Sequence, residues 1–448
     1  MPHDLQRLLA DLARKDPDAA SSAEAAASWL VSEDGDLADV SQLRLCEFLW
    51  YALPQKFLAP VQEHIAIARA TGTLFAAAGL TGHADLCASP TTIQVLRAWD
   101  RPGEDGFAAY ERALAATGVV PPDVPELSWG ETMGFEESAI FDGVSRRLEA
   151  AIGDGRLVRG AAAWERGRRL LVSETLATRG HADGRSWLEV IEAERIDMWA
   201  RVGGEPRRRL AALVAQRIAQ APPVPGAVDD HVAPMLWLLE RASLPGGLPL
   251  TERHNLARSV VAEAVARFPA WTNATVGSVR NEQDVMELGD AREWLQALGA
   301  LRRRARQLLT TRRGRELLAD ADELWRCATR GLIASRPDGG RSFESAVAEA
   351  ELLVLASGER MAFGELRDAV FEIVRGQGWS HASGTEVTAR DVAWAGGHLY
   401  ARLCTLGLLA DRDGRLRDGY QLSEAGVLAA LTALRAQAVR PLPAFTPW

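Results

Sequence analysis

The stretch AREWLQALGALRRRARQLLTTRRGRELLADADELW, residues 291–325, runs from an amphipathic helix through a short arginine-rich segment into a second helix. Trp294, Leu295 and Leu298 recur at helical spacing, as one buried face requires. The Ala297-Leu298-Gly299 step ends that pattern. Residues 301–311 then suit two strands with a tight turn, and Thr311 stands three residues ahead of Gly314, which opens a new helix. The same order returns in GGHLYARLCTLGLLADRDGRLRDGYQLSEAGVLAALTALRAQA, residues 396–438. There Leu406-Gly407 ends one helix, and Ser423 stands three residues ahead of Gly426.

A helix, a hairpin and a following helix in this order form the sequence pattern of a winged-helix module. Most such modules bind nucleic acid and a minority bind only proteins. Two are expected, at 246–333 and 343–440. In the first, residues 248–251 suit a leading strand, 255–268 a helix, and 281–301 the helix before the hairpin, with Val285 and Leu288 extending its apolar face. In the second, residues 344–374 read as two helices joined at 356–361. Residues 387–409 read as the helix before the hairpin, with Thr388 as its N-cap. Gly396-Gly397 inside that helix costs ~1 kcal/mol per glycine relative to alanine. A close helix crossing or a ligand contact would explain the pair.

Charge decides what such modules could bind. From Leu301 to Arg315 the first carries seven arginines and no acid: Arg302, Arg303, Arg304, Arg306, Arg312, Arg313 and Arg315. A hairpin of this kind can grip phosphates, with a salt-sensitive affinity; a solvated, salt-bridged hairpin is the plainer reading. The helix before it is expected to show solvent Glu282, Asp284, Glu287, Asp290 and Glu293, which phosphate would repel. The corresponding helix of the second module is expected to show Arg390, His398, Tyr400 and Arg402, a face better suited to nucleic acid. The whole chain has a formal net charge of −9, against the basic balance of a dedicated nucleic-acid binder.

At 448 residues the chain exceeds one core. Its 47% hydrophobic and 25% charged content is that of a folded protein, and its wealth of alanine, leucine and arginine favours helix. The fold class expected is mainly α: a multi-helical N-terminal half, then two winged-helix-like modules with small β-hairpins. Proline-rich stretches at 119–130 and 221–230 suggest a helical domain at 1–120 and another at 121–245. A strongly apolar helix at 41–59 is expected to break at Pro54. No apolar run reaches 18 residues, and the N-terminus lacks the apolar core of a signal peptide, so a cytoplasmic protein off the membrane is expected. Cys46, Cys87, Cys327 and Cys404 lie far apart in apolar helical patterns, as buried thiols do.

Chemistry-bearing motifs are scarce. There is no phosphate loop, no dinucleotide fingerprint, no nucleophile elbow and no H-E-x-x-H. His83 and Cys87 are two ligand types on one helical face, which is not a metal site. Residues 411–419 echo a calcium loop, but Leu422 stands at the twelfth position, where a bidentate Glu belongs. Neither a metal nor a cofactor is expected. Trp271 and Trp379, in loop-like sequence, are candidates for a binding surface. Arg207–Arg209 crowd a helix start, where cations gain nothing from the dipole; a salt-bridge network or an acidic partner would account for them.

Residues 305–325 and 420–437 resemble the wing-to-last-helix segment of MarR-like winged-helix proteins, where Leu-Thr-x-x-Gly-Arg closes the strand and opens the helix. The matching positions are Thr310-Thr311-Arg312-Arg313-Gly314-Arg315 and Leu422-Ser423-Glu424-Ala425-Gly426; Thr310 replaces the usual Leu and Val427 the common Arg. The chain as a whole resembles uncharacterised proteins of high-GC bacteria that carry such modules behind a helical half. The resemblance implies a fold and carries over no ligand site. The reading favoured is a non-enzymatic binding or regulatory protein serving protein–protein interaction or assembly. A DNA-binding regulator gripping double-stranded DNA through the arginine hairpin competes with it, as does an all-helical enzyme whose site is not linear in sequence. The protein partner and the oligomeric state are open.

Overall fold

Helix dominates the chain, as its composition predicts, and a small three-stranded antiparallel sheet accompanies it. The computed structural model describes residues 5–31, 35–101, 105–271, 279, 281–333, 342–410 and 419–441. These fall into two compact units, residues 1–191 and 192–448. No helix among the described residues is long and apolar enough to cross a membrane.

The first unit has two cores. One gathers α1 (Leu5–Ala13), α2 (Pro17–Leu30), α3 (Gln42–Glu47), α4 (Leu53–Lys56), α5 (Val61–Ala77), α6 (Thr81–Ala88) and α7 (Pro90–Asp100), with α8 (Gly106–Thr117) against it. The other gathers α9 (Phe135–Gly153), α10 (Trp164–Ala177) and the start of α11 (Trp187–Arg201). The expected break at Pro54 is instead a π-helical turn, Phe48–Ala52, that runs on into α4. Proline removes the N–H that would bond the Trp50 carbonyl, and the wider turn accommodates the ring. The Trp99 indole donates to that carbonyl at 2.9 Å, so the buried acceptor is satisfied.

The second unit begins with the end of α11 and α12 (Glu205–Ile218). The expected linker at 221–230 separates nothing: the apolar faces of α12 and α13 (Val228–Ser243) are buried in the core of the C-terminal elements. After α13 come β1 (Leu248–Pro249), α14 (Arg258–Arg267), α15 (Met286–Ala297), β2 (Leu301–Arg304), β3 (Gln307–Thr310), α16 (Arg312–Leu318) and α17 (Ala321–Arg330). The sheet order is β1-β3-β2, with Leu248 opposite Leu308 and Leu301 opposite Thr310. The repeat unit therefore starts at α13 rather than at residue 246.

The order then recurs in α18 (Phe343–Leu355), α19 (Phe363–Arg375), α20 (Ala389–Thr405) and α21 (Glu424–Ala438). Single bridges replace the strands. Met361 pairs with Tyr420 and Leu409 with Leu422, the same neighbour relations as β1-β3 and β2-β3. The expected turn at 411–419 lies, apart from Gly419, outside the described residues.

The agreement extends to single atoms. Gly299 and Gly407 leave their helices at φ +68 and +61, where glycine has no Cβ to clash. Ala300 N–H then bonds Leu295 O at 2.9 Å, and Leu408 N–H bonds Leu403 O at 2.8 Å. Thr311 N–H donates to Ala300 O at 2.9 Å and Ser423 N–H to Leu408 O at 2.8 Å. The Thr311 and Ser423 hydroxyls cap Gly314 N–H and Gly426 N–H at 3.0 and 3.1 Å. A Cβ on Gly314 would overlap the Ala300 carbonyl, and one on Gly426 the Leu408 carbonyl. One core runs through both segments, and like packs on like: α15 against α20, α17 against α21.

Candidate partner and nucleic-acid interface

The arginine cluster sits on the β2-β3 hairpin and the start of α16. Arg302, Arg303, Arg304 and Arg306 are exposed, as are Arg312, Arg313 and Arg315. Arg302, Arg303 and Arg304 make no side-chain hydrogen bond or ion pair among the described residues. Strand alternation puts Arg302 and Arg304 on one side and Arg303 on the other, so the three do not form one row. Arg306 meets Glu252 at 3.8 Å, and Arg312 meets Glu316 at 3.0 Å. Such exposed pairs contribute little. Arg313 is held by Glu323 Oε1 at 3.0 Å and Cys327 Sγ at 3.2 Å. The first of these bonds raises its pKa further.

Of the expected acidic face, Asp284 and Glu293 are exposed, but Glu282, Glu287 and Asp290 are not. Glu282 is buried, accepts Leu256 N–H at 2.6 Å and pairs with Arg292 at 2.9 Å. Burial raises the pKa of Glu282 and that of Glu287. Glu287 and Asp290 lie against α20, where the Thr405 hydroxyl is 3.4 Å from both the Glu287 carbonyl and the Asp290 carboxylate.

Arg402, expected on a solvent face, is turned inward by the packing of α20 on α15. Its guanidinium lies 4.9 Å from the Trp294 ring centroid, 3.8 Å from Asp290, and donates to the carbonyls of Gly331 and Leu332. Burial pushes the Asp290 carboxyl up to about 6 even with Arg402 beside it, and pulls Arg402 down. These groups hold two helices together; they are not available to a ligand.

What α20 does present outward is a stripe of Arg390, Trp394 and His398, four residues apart and so on one helical face. Trp394 is 73% exposed, with its ring 6.3 Å from His398. Trp271 and Trp379 are instead partly buried against the core. Trp271 stacks on Phe268 at 4.6 Å, and Trp379 meets Phe343 edge-on at 5.9 Å. Trp394 was missed because tryptophan at a helical position is core by default. The signal was its phase: Val392, Ala395, Leu399 and Leu403 make the buried stripe, and Trp394 lies about 200° from Val392 at ~100° per residue.

His83 Nε2 is 2.8 Å from the Val40 carbonyl, and no three His, Cys, Asp or Glu among the described residues are grouped to hold a metal ion. A family model described as the Y4jL N-terminal domain matches residues 231–323. That span runs from within α13 to the first residues of α17, the first of the two repeated segments. No curated protein and no solved structure matches the chain.

Proposed function

We propose that residues 228–330 and 343–438 are two winged-helix modules, and that the chain is a non-enzymatic binding protein which uses them to engage a protein partner. The winged-helix reading is supported by the element order and by the third strand lying between the other two, once as a sheet and once as bridges. The family match at residues 231–323 falls within the first of the two modules.

The observation that carries the partner reading is the packing of α15 on α20. The helix that would read a major groove in the first module has Glu287 and Asp290 turned into the second. The outward stripe of α20 has the composition of an interface anchor, an exposed Trp flanked by Arg and His. It suits a protein surface with an apolar pocket rimmed by carboxylates. A second reading, DNA backbone binding, is favoured by the three unpartnered arginines of β2.

One comparison separates the two. Partner recovery from extract and binding to a random DNA duplex across a salt series are measured for wild type, Trp394→Ala and Arg302/Arg303/Arg304→Ala. The partner reading expects a recovered protein that Trp394→Ala loses and the triple variant keeps, with weak duplex binding throughout. Duplex binding that is tight at low salt and strongly weakened in the triple variant would replace it with the DNA reading. In that case the salt slope falls by roughly 2–3, at about 0.9 per phosphate contact.

A further inference from the structure

A cavity of about 170 Å³ lies between α18, α19 and α20, the bulk of five or six liquid waters at ~30 Å³ each. Its walls include Glu351, Phe363, Gly396, Gly397, Tyr400 and Tyr420. Three of these are rings linked through Tyr420: Phe363 and Tyr420 centroids are 4.3 Å apart, and Tyr400 and Tyr420 centroids 5.4 Å. The Glu351 carboxyl makes no hydrogen bond or ion pair among the described residues. Arg367 also reaches the wall, but its guanidinium is held by Asp368 at 2.9 Å.

The first of the two glycines of α20 is explained by this cavity. A Cβ on Gly396 would overlap the Glu351 carboxylate, so that position must be bare for the carboxyl to lie there. A Cβ on Gly397 would meet nothing within 4 Å, so that residue leaves the space open. We propose that this cavity is a binding site for a small organic ammonium ion, held by the Glu351 carboxylate and the faces of Phe363, Tyr400 and Tyr420.

The chemistry of the walls selects that class. An isolated carboxylate in a poorly hydrated wall lacks a counter-charge, and burial pushes Glu351 up to about 7. Aromatic faces attract cations, alkylated ammonium ions above all, because such ions shed water cheaply. An anion would be repelled by Glu351. A hard metal ion asks for several oxygen ligands, and only one carboxylate lines the space.

The test is calorimetric titration of the full chain with n-butylammonium and tetramethylammonium chloride, against sodium chloride at equal ionic strength. Saturable binding of an ammonium ion, and none of sodium, is expected at pH 8. Binding is expected to fall at least about tenfold in Glu351→Gln and several-fold in Phe363→Leu, a replacement chosen because the ring is 44% exposed. It should also be about tenfold weaker at pH 6 than at pH 8, because a carboxyl titrating near 7 is then mostly protonated. Arg367 also lines the cavity; the phenols of Tyr400 and Tyr420 stay neutral over that range, burial holding both above their usual pKa. Absence of saturable ammonium binding by wild type would overturn the proposal, as would equal binding by wild type and both variants. If Glu351→Gln does not fold, Phe363→Leu and the pH series decide alone.

Discussion

Arg207 is 1% exposed at the start of α12 and meets Glu349 of α18, itself 1% exposed, in a buried ion pair. The Trp199 indole donates to the same carboxylate at 2.9 Å, and the Arg207 guanidinium lies 5.0 Å from the Trp199 ring and donates to its carbonyl. The desolvation of a buried pair offsets much of its attraction, but either partner left alone is costly. Arg207→Ala is therefore expected to lose about 3–5 kcal/mol in urea unfolding of the full chain. Arg207→Met with Glu349→Leu should lose less than either single replacement; a double variant that loses the sum would refute the coupling. Crowding of three arginines at a helix start was visible in sequence as an oddity. Arg207 resolves it, while Arg208 and Arg209 are exposed. The partner, Glu349, could not be read off, because nothing local connects α12 to α18.

At the scale of elements, what was legible is what is local. The two helix–hairpin–helix passages announced themselves through Gly299, Thr311 and Gly314, and through Gly407, Ser423 and Gly426, because each residue type answers a backbone requirement within one turn. Gly426→Ala and Gly314→Ala should each destabilise by about 1–3 kcal/mol, since the new methyl meets a carbonyl that is itself hydrogen-bonded. Equal urea midpoints for wild type and either variant would show the close approach to be unimportant.

Faces were legible only in part. Helical periodicity tells which residues share a side, and it placed Glu287 and Asp290 together; it does not tell what covers that side. Their cover is α20, which is distant in sequence, so a helix read as solvated is half-buried and Arg402 is an interior residue. Trp394 is the converse, an aromatic residue on the uncovered side. Trp394→Ala should change stability by less than about 0.5 kcal/mol, as replacements of exposed residues do, whatever it does to partner binding. A large loss in the same urea measurement would mean that Trp394 is packed.

At the scale of the whole molecule, the raised acids give a direction to the pH dependence of stability. Asp290, at about 6, and Glu351, at about 7, hold their protons more tightly in the folded chain than in the unfolded one. The folded chain thus takes up protons first as pH falls. Each acid costs stability above its folded pKa, and the cost is relieved as pH drops toward 5, by up to about 2 kcal/mol apiece. The urea midpoint is expected to rise from pH 8 to pH 5.5, and the rise to shrink in Asp290→Asn and in Glu351→Gln. A midpoint that falls over this interval, or a rise that neither variant reduces, would contradict the assignment.

The packing of like on like has a further consequence. In a dimer of two copies of one chain, such a contact dissolves on dilution and both halves share one sequence. Here the two halves are joined covalently, so each meets the other at an effective concentration set by the chain between α17 and α18 rather than by the solution. The pairing survives dilution, and each half is free to diverge. One has placed arginines on its hairpin, the other a tryptophan on its outward helix. A symmetric dimer presents two identical faces. This tethered pair does not, and whatever it engages can be lopsided.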